Sequence, residues 1–162
     1  MPYATQTKSG VRDFDFWPGE WKVKNRRLRS RLAGSDEWEE FNAEVSARIL
    51  MDGAANEDEF RTDFDGGFIG MSFRFFDPER KRWSIYWADS RRLGVLDPPV
   101  FGSFEDGIGV FEGDDVFEGR PIRVRFIWST VDTDAPRWEQ AFSDDGGETW
   151  ETNWIMDFTR AD

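Results

Sequence analysis

The sequence contains no cysteine and no histidine. A disulfide framework is therefore excluded. Zinc, haem and iron–sulfur centres lose their usual ligands. Neither a thiol nucleophile nor a histidine-based triad can form. No metal site and no cofactor are expected. Long apolar runs are also missing, so no segment is expected to span a bilayer as a helix. Residues 1–13 are polar and hold no apolar core of a secretory signal. The cytoplasm is the simplest compartment. Positive charge is scarce too: 21 Lys and Arg face 33 Asp and Glu, for a net charge of −12. Such a chain repels phosphate backbones and anionic lipid, so neither nucleic acid nor a membrane is an expected partner.

One basic segment stands against this background: Lys22, Lys24, Arg26, Arg27, Arg29 and Arg31. It reads as an exposed strand whose charge discourages edge pairing. The alternative is a docking patch for an acidic partner or for a second subunit in a homodimer.

What is present is aromatic. Nine Trp, sixteen Phe and two Tyr bring the aromatic content to 17%, which a disordered chain does not carry. Trp and Phe favour strands, and 162 residues suit one domain with one core. Turn signals recur at short intervals, among them Asp52-Gly53, Asp65-Gly66-Gly67, Asp77-Pro78, Asp106-Gly107, Gly113-Asp114-Asp115, Glu118-Gly119 and Asp144-Asp145-Gly146-Gly147. Between them lie strands predicted at 20–32, 38–51, 55–64, 68–76, 82–89, 95–104, 108–112, 121–131, 137–143 and 149–160. This pattern predicts an all-β fold, a single antiparallel up-and-down β-barrel of about eight to ten strands. Only Val11–Trp17 suggests a short N-terminal helical plug. The expected layout is an arm and plug over 1–18 and one barrel domain over 19–162.

Period-two alternation assigns the faces. Phe41, Ala43, Val45, Ala47, Ile49 and Met51 share one. So do Trp83, Ile85 and Trp87; Ile122, Val124, Phe126 and Trp128; and Trp138, Gln140 and Phe142. In the last strand Trp150, Thr152, Trp154, Met156 and Phe158 lie opposite Glu151, Asn153 and Asp157. A small barrel fills itself with such side chains or leaves room for one ligand.

Polar residues on these apolar faces need a reason, because a buried polar group is costly unless satisfied. Asn56 and Asp58 share a face with Phe60, Asp89 continues that of Trp87, and Gln140 sits between Trp138 and Phe142. Arg74 has ambiguous parity, since Ile69, Met71, Phe73 and Phe75 are as apolar as its own face. One reading brings Asn56, Asp58, Arg74, Asp89 and Gln140 together in a pocket walled by Trp87, Trp128, Trp138 and Trp154. Arg74 would then neutralise one carboxylate. A second would have a raised pKa and could act as a general acid or base, making Asp58 and Asp89 the candidate catalytic residues. Gln140 would hold a ligand carbonyl or hydroxyl. The other reading puts Asp58 and Asp89 at strand ends, in contact with water, and lets the tryptophans fill a core.

Two features carry a family resemblance. Gly19-Glu20-Trp21 opens the first strand, and Arg160 ends the last one. The pair resembles the calycin (lipocalin-like) superfamily, in which a terminal basic residue packs over the first Trp. Phe14–Trp21, Phe76-Asp77-Pro78 with Trp83, Trp87-Ala88-Asp89, and Ser143–Trp150 are similar to a group of bacterial calycin-like proteins. The resemblance implies the fold and carries no activity with it. The later lipocalin motifs are absent. Ser143–Trp150 also resembles the Asp-box turn of sialidase propellers; one copy reads as a hairpin device.

Three functions remain open. The leading one is intracellular binding of a small, largely apolar or aromatic molecule in an aromatic-lined pocket. The second is a cofactor-independent enzyme using buried carboxylates for isomerisation, cyclisation or hydrolysis. The third is an interaction domain with a filled core.

Overall fold

The computed structural model describes residues 10–161. The first nine residues of the expected arm lie outside that range. The strands are β1 (Gly19–Leu28), β2 (Trp38–Leu50), β3 (Ala55–Thr62), β4 (Phe68–Asp77), β5 (Arg82–Asp89), β6 (Val100–Glu105), β7 (Ile108–Phe117), β8 (Arg120–Ser129), β9 (Arg137–Ser143) and β10 (Glu151–Arg160). Each pairs with its sequence neighbours, and β1 closes on β10. Closure removes both sheet edges. The basic strand β1 is therefore paired on both sides, with β2 and β10, and has no edge to protect.

Three boundaries differ most from the prediction: the first strand ends at Leu28 rather than at 32, which leaves Arg29 and Arg31 in a loop, and two more lie around β6 and β7. Residues 95–99 are loop rather than strand, and β7 runs on through Gly113-Asp114-Asp115. Gly113 is needed there for space: a Cβ would lie 2.3 Å from the Pro99 carbonyl oxygen.

The expected helical plug is not a helix. Residues 11–17 descend through successive turns, with the Asp13, Asp15 and Trp17 N–H groups donating to the carbonyls of Gly10, Arg12 and Phe14. The segment is too short to sustain a helix alone, and Pro18 disfavours helical geometry at the residue before it. The turns drive Phe14 and Trp17 into the barrel, each 1% exposed. With Trp21, Trp83, Phe111 and Trp128 they fill one end of it. Phe14 meets Trp83 edge-on at 4.9 Å, and Trp17 meets Trp128 at 4.9 Å.

Outside this closed end, the Arg160 guanidinium lies 3.8 Å from the Trp21 ring. It donates to the carbonyls of Pro18 and Phe16 at 2.7 and 2.8 Å. Such a cation–π contact is worth about 0.5–2 kcal/mol. Gly19 makes it fit: its φ is +121°, and a Cβ would stand 2.5 Å from Arg160 Nη1.

The structure also settles parity. On β4, Gly70, Ser72 and Arg74 are buried, whereas Met71 and Phe75 are exposed. On β10 a bulge between Thr152 and Trp154 shifts the register. Asn153, predicted to face solvent, is fully buried, and Trp150 leaves the face of Trp154 to stack under Arg125 at 4.2 Å. The Ser143–Trp150 turn is a self-contained hairpin. Asp145 accepts from the Ser143 hydroxyl and the Thr149 N–H, while the Trp150 indole donates to the Gly147 carbonyl. Those donors, the Thr149 side chain first, hold the Asp145 carboxyl below its ordinary range.

Candidate ligand site

Above the aromatic plug, the barrel interior holds a cavity of about 500 Å³. Its mouth is at the opposite end, ringed by the loops after β1, β5 and β7. The walls include Trp87, Trp138, Trp154, Phe126 and Phe142, and the floor is Trp17, Arg74 and Trp128.

At the floor, Arg74 Nη1 donates to Asp58 Oδ2 at 2.6 Å and to Asn56 Oδ1 at 2.9 Å. Strand register explains this: Asn56 lies opposite Arg74, and Asp58 opposite Ser72, across the β3–β4 pair. The Trp17 indole N–H adds a third bond, to Asp58 Oδ2 at 3.2 Å. Both charged side chains are only 5% exposed. The guanidinium also stands 5.3 to 5.7 Å from the rings of Phe14, Trp17 and Trp128. Asn56 sits behind Arg74, off the cavity wall. Arg74 Nε and the Trp128 indole N–H are buried without an acceptor among the described residues.

Asp89 lies higher, opposite Gly70 on β4. Its carboxylate accepts from the Trp87 indole at 3.0 Å and from Arg91 Nη2 at 2.9 Å. Burial opposes its ionisation, but the Arg91 and Trp87 hydrogen bonds outweigh burial and bring its pKa down to about 2. The expected raised carboxyl is not found at Asp89, because each aspartate has its own arginine and its own indole donor. Gly70 seats the Trp87 ring: a Cβ there would be 1.9 Å from it.

Gln140 lines the wall and donates to Asn153 Oδ1 at 2.9 Å. Trp154 donates to the buried Asn25 at 3.0 Å. Thus Asp58, Arg74, Trp87, Asp89, Trp128, Trp138, Gln140 and Trp154 meet around one cavity, with Asn56 as the support behind Arg74.

Two lining residues were missed at the sequence level. Arg27 and Arg31 were grouped with the solvated basic segment, yet both reach the cavity. The available signal was parity: Arg27 shares the odd face of Trp21, Val23 and Asn25, while Lys22, Lys24 and Arg26 point outward. Arg31 is brought in by the β1–β2 loop. That loop is tied across the mouth by the Leu32 N–H donating to Glu151 at 2.7 Å, and by Arg120 donating to the Leu32 carbonyl.

No family model matches the sequence, and no curated protein does. A solved structure does match in fold: the S-type phycobiliprotein lyase CPES from Guillardia theta, with a TM-score of 0.60 at 12% identity, covering 98% of this chain and 97% of that one. The fold is calycin-like. The calycin-like barrel here keeps the Gly19/Trp21/Arg160 closure that the sequence suggested. Among the described residues of this calycin-like barrel, no helix is long and apolar enough to cross a membrane.

Proposed function

We propose that the protein binds a small, largely apolar or aromatic molecule inside its barrel. The observation that carries this reading is the cavity of about 500 Å³, walled by aromatic rings and opening between the loops after β1, β5 and β7. A filled core would leave no such space. A few convergent polar groups among apolar walls are the composition that orients a ligand. Gln140 on the wall, its amide nitrogen already donating to Asn153, offers its Oε1 to a ligand hydroxyl. The similar structure is named a phycobiliprotein lyase, and a pigment-like aromatic molecule falls within the class proposed here.

An acid–base enzyme has less support. Asp58 and Asp89 are each paired with a guanidinium. A carboxyl held at about 2 is a weak base at neutral pH, where catalytic groups work best with a pKa near the operating pH.

The test is titration with methyl 1-pyrenebutyrate, an uncharged flat aromatic ester. Energy transfer from Trp87, Trp138 and Trp154 to the pyrene reports entry into the cavity. Saturable one-to-one quenching of tryptophan emission is expected. Emission unchanged by this ester and by smaller neutral aromatics would mean that the interior is closed to ligands.

A further inference from the structure

Arg27 is an anomaly in a chain with 33 acidic residues. It is half-buried on the inner face of β1, and its Nε is sealed from solvent with no acceptor among the described residues. Its guanidinium carbon lies 5.1 Å from the Trp154 ring, 5.4 Å from Phe64 and 5.7 Å from Phe41. The acid at its register on β2, Glu39, leans towards Arg29 instead, at 3.6 Å. Arg31 stands 5.4 Å from the Phe117 ring and forms no ion pair among the described residues. Burial holds both guanidinium pKa values below the ordinary one, helped by the charges of Arg31 and Arg91 at Arg27 and by that of Arg91 at Arg31. They nonetheless stay cationic at any physiological pH.

The remaining charges of the mouth are largely matched. Arg91 and Arg92 pair with Asp89 and Asp97, and Asp114 pairs with Arg123. Asp115 and the exposed Glu118 remain, and Asp65, Glu39, Glu118 and Glu151 lie within Coulombic reach of Arg27 or Arg31 without an ion pair to either among the described residues. A dianion such as a phosphate monoester would be opposed by these acids. A monoanion meets about half that repulsion, with two arginines beside it to offset it. Aromatic rings flank both guanidinium groups, and their Nη groups make no hydrogen bond among the described residues, which leaves them to a carboxylate.

Resting on the binding reading above, we propose that the ligand is an apolar or aromatic acid, its carboxylate held at the mouth by Arg27 and Arg31 and its body lying between Trp87, Trp138 and Trp154. The floor, where Arg74 is already neutralised by Asp58, takes only neutral polar atoms.

The experiment compares 1-pyrenebutyrate with its methyl ester, which share one aromatic body and differ in charge. Wild type should bind the acid roughly tenfold more tightly, the scale of one charge-assisted hydrogen bond net of desolvation. Added salt should erode that preference without affecting the ester. Arg27→Gln and, separately, Arg31→Gln should lower the acid-to-ester affinity ratio towards one, with the acid losing far more than the ester. Arg27→Lys should restore part of the preference. Arg31 sits in a loop, so its variant answers the question even if Arg27→Gln folds poorly. Equal affinities in wild type, or a preference that survives in both Gln variants, overturns the inference while binding of the ester stands. Failure of both probes to bind removes the pocket reading and this inference with it.

Discussion

At the closed end of the barrel, Arg74 is 4% exposed and donates to Asp58 and Asn56. At the mouth, Arg27 is half-buried, surrounded by three aromatic rings, and pairs with no carboxylate among the described residues. Both are inward-facing arginines on strands of the same sheet. The difference lies in what the adjacent strand supplies. β3 places an asparagine and an aspartate beside Arg74; opposite Arg27, β10 places Trp154 and β2 places Glu39, which pairs with Arg29 instead. A buried charge with a built-in partner serves the fold. One left with free donors beside a cavity serves a ligand, and the stability of the two sites should reflect that division.

The sharpest way to break the comparison is to remove the floor charge alone. Arg74→Met strands Asp58 and is expected to destabilise the protein by about 3–5 kcal/mol in urea unfolding. Combining it with Asp58→Leu should recover most of that loss, since a buried pair replaced as a unit is near neutral. No recovery would mean that the pair also organises Trp17 and the plug.

A smaller effect is expected halfway up the wall. Gly70→Ala drives a methyl group into the Trp87 ring, for a loss of about 1–3 kcal/mol. Weaker binding of methyl 1-pyrenebutyrate should accompany it, because Trp87 must move within the cavity.

Acid should act near the mouth. Asp89 has a depressed pKa when folded, about 2, so it stabilises the native state above its unfolded value of about 3.9. That contribution fades as pH falls from about 4 to 2. It amounts to about 1–2 kcal/mol after allowing for solvent around the partly exposed Arg91. Thermal unfolding of Asp89→Asn against wild type over that range measures it: the two should converge at the acid end.

The least effect is expected from Arg27→Gln, with stability unchanged within about 0.5 kcal/mol or slightly raised. Calorimetry decides. A loss as large as that of Arg74→Met would make Arg27 structural and erase the distinction between the two ends.

Much of this was legible beforehand, because strand alternation is a local property. Trp83, Ile85 and Trp87, or Ile122 to Trp128, announce their inner face without reference to anything else. The Gly19/Trp21/Arg160 closure was readable because both halves sit at strand termini. Where apolar residues occupied both faces, as on β4, parity could not be read. There the partner strand decided, since only an inward Arg74 meets Asp58. The bulge at Thr152–Trp154 inverted Trp150 and buried Asn153 because it depends on how β9 and β10 register, which no local pattern encodes.

Composition and periodicity alone therefore determined the class of fold, the absence of thiol and imidazole chemistry, and most of the inward-facing set. Tertiary structure decided that the interior is open, that the N-terminal segment plugs one end through turns, and which arginines have partners. The physical reason is range. Alternation is set by each residue's own backbone and its immediate neighbours. Whether a charge is paired, or a cavity filled, depends on side chains brought from strands far apart in sequence.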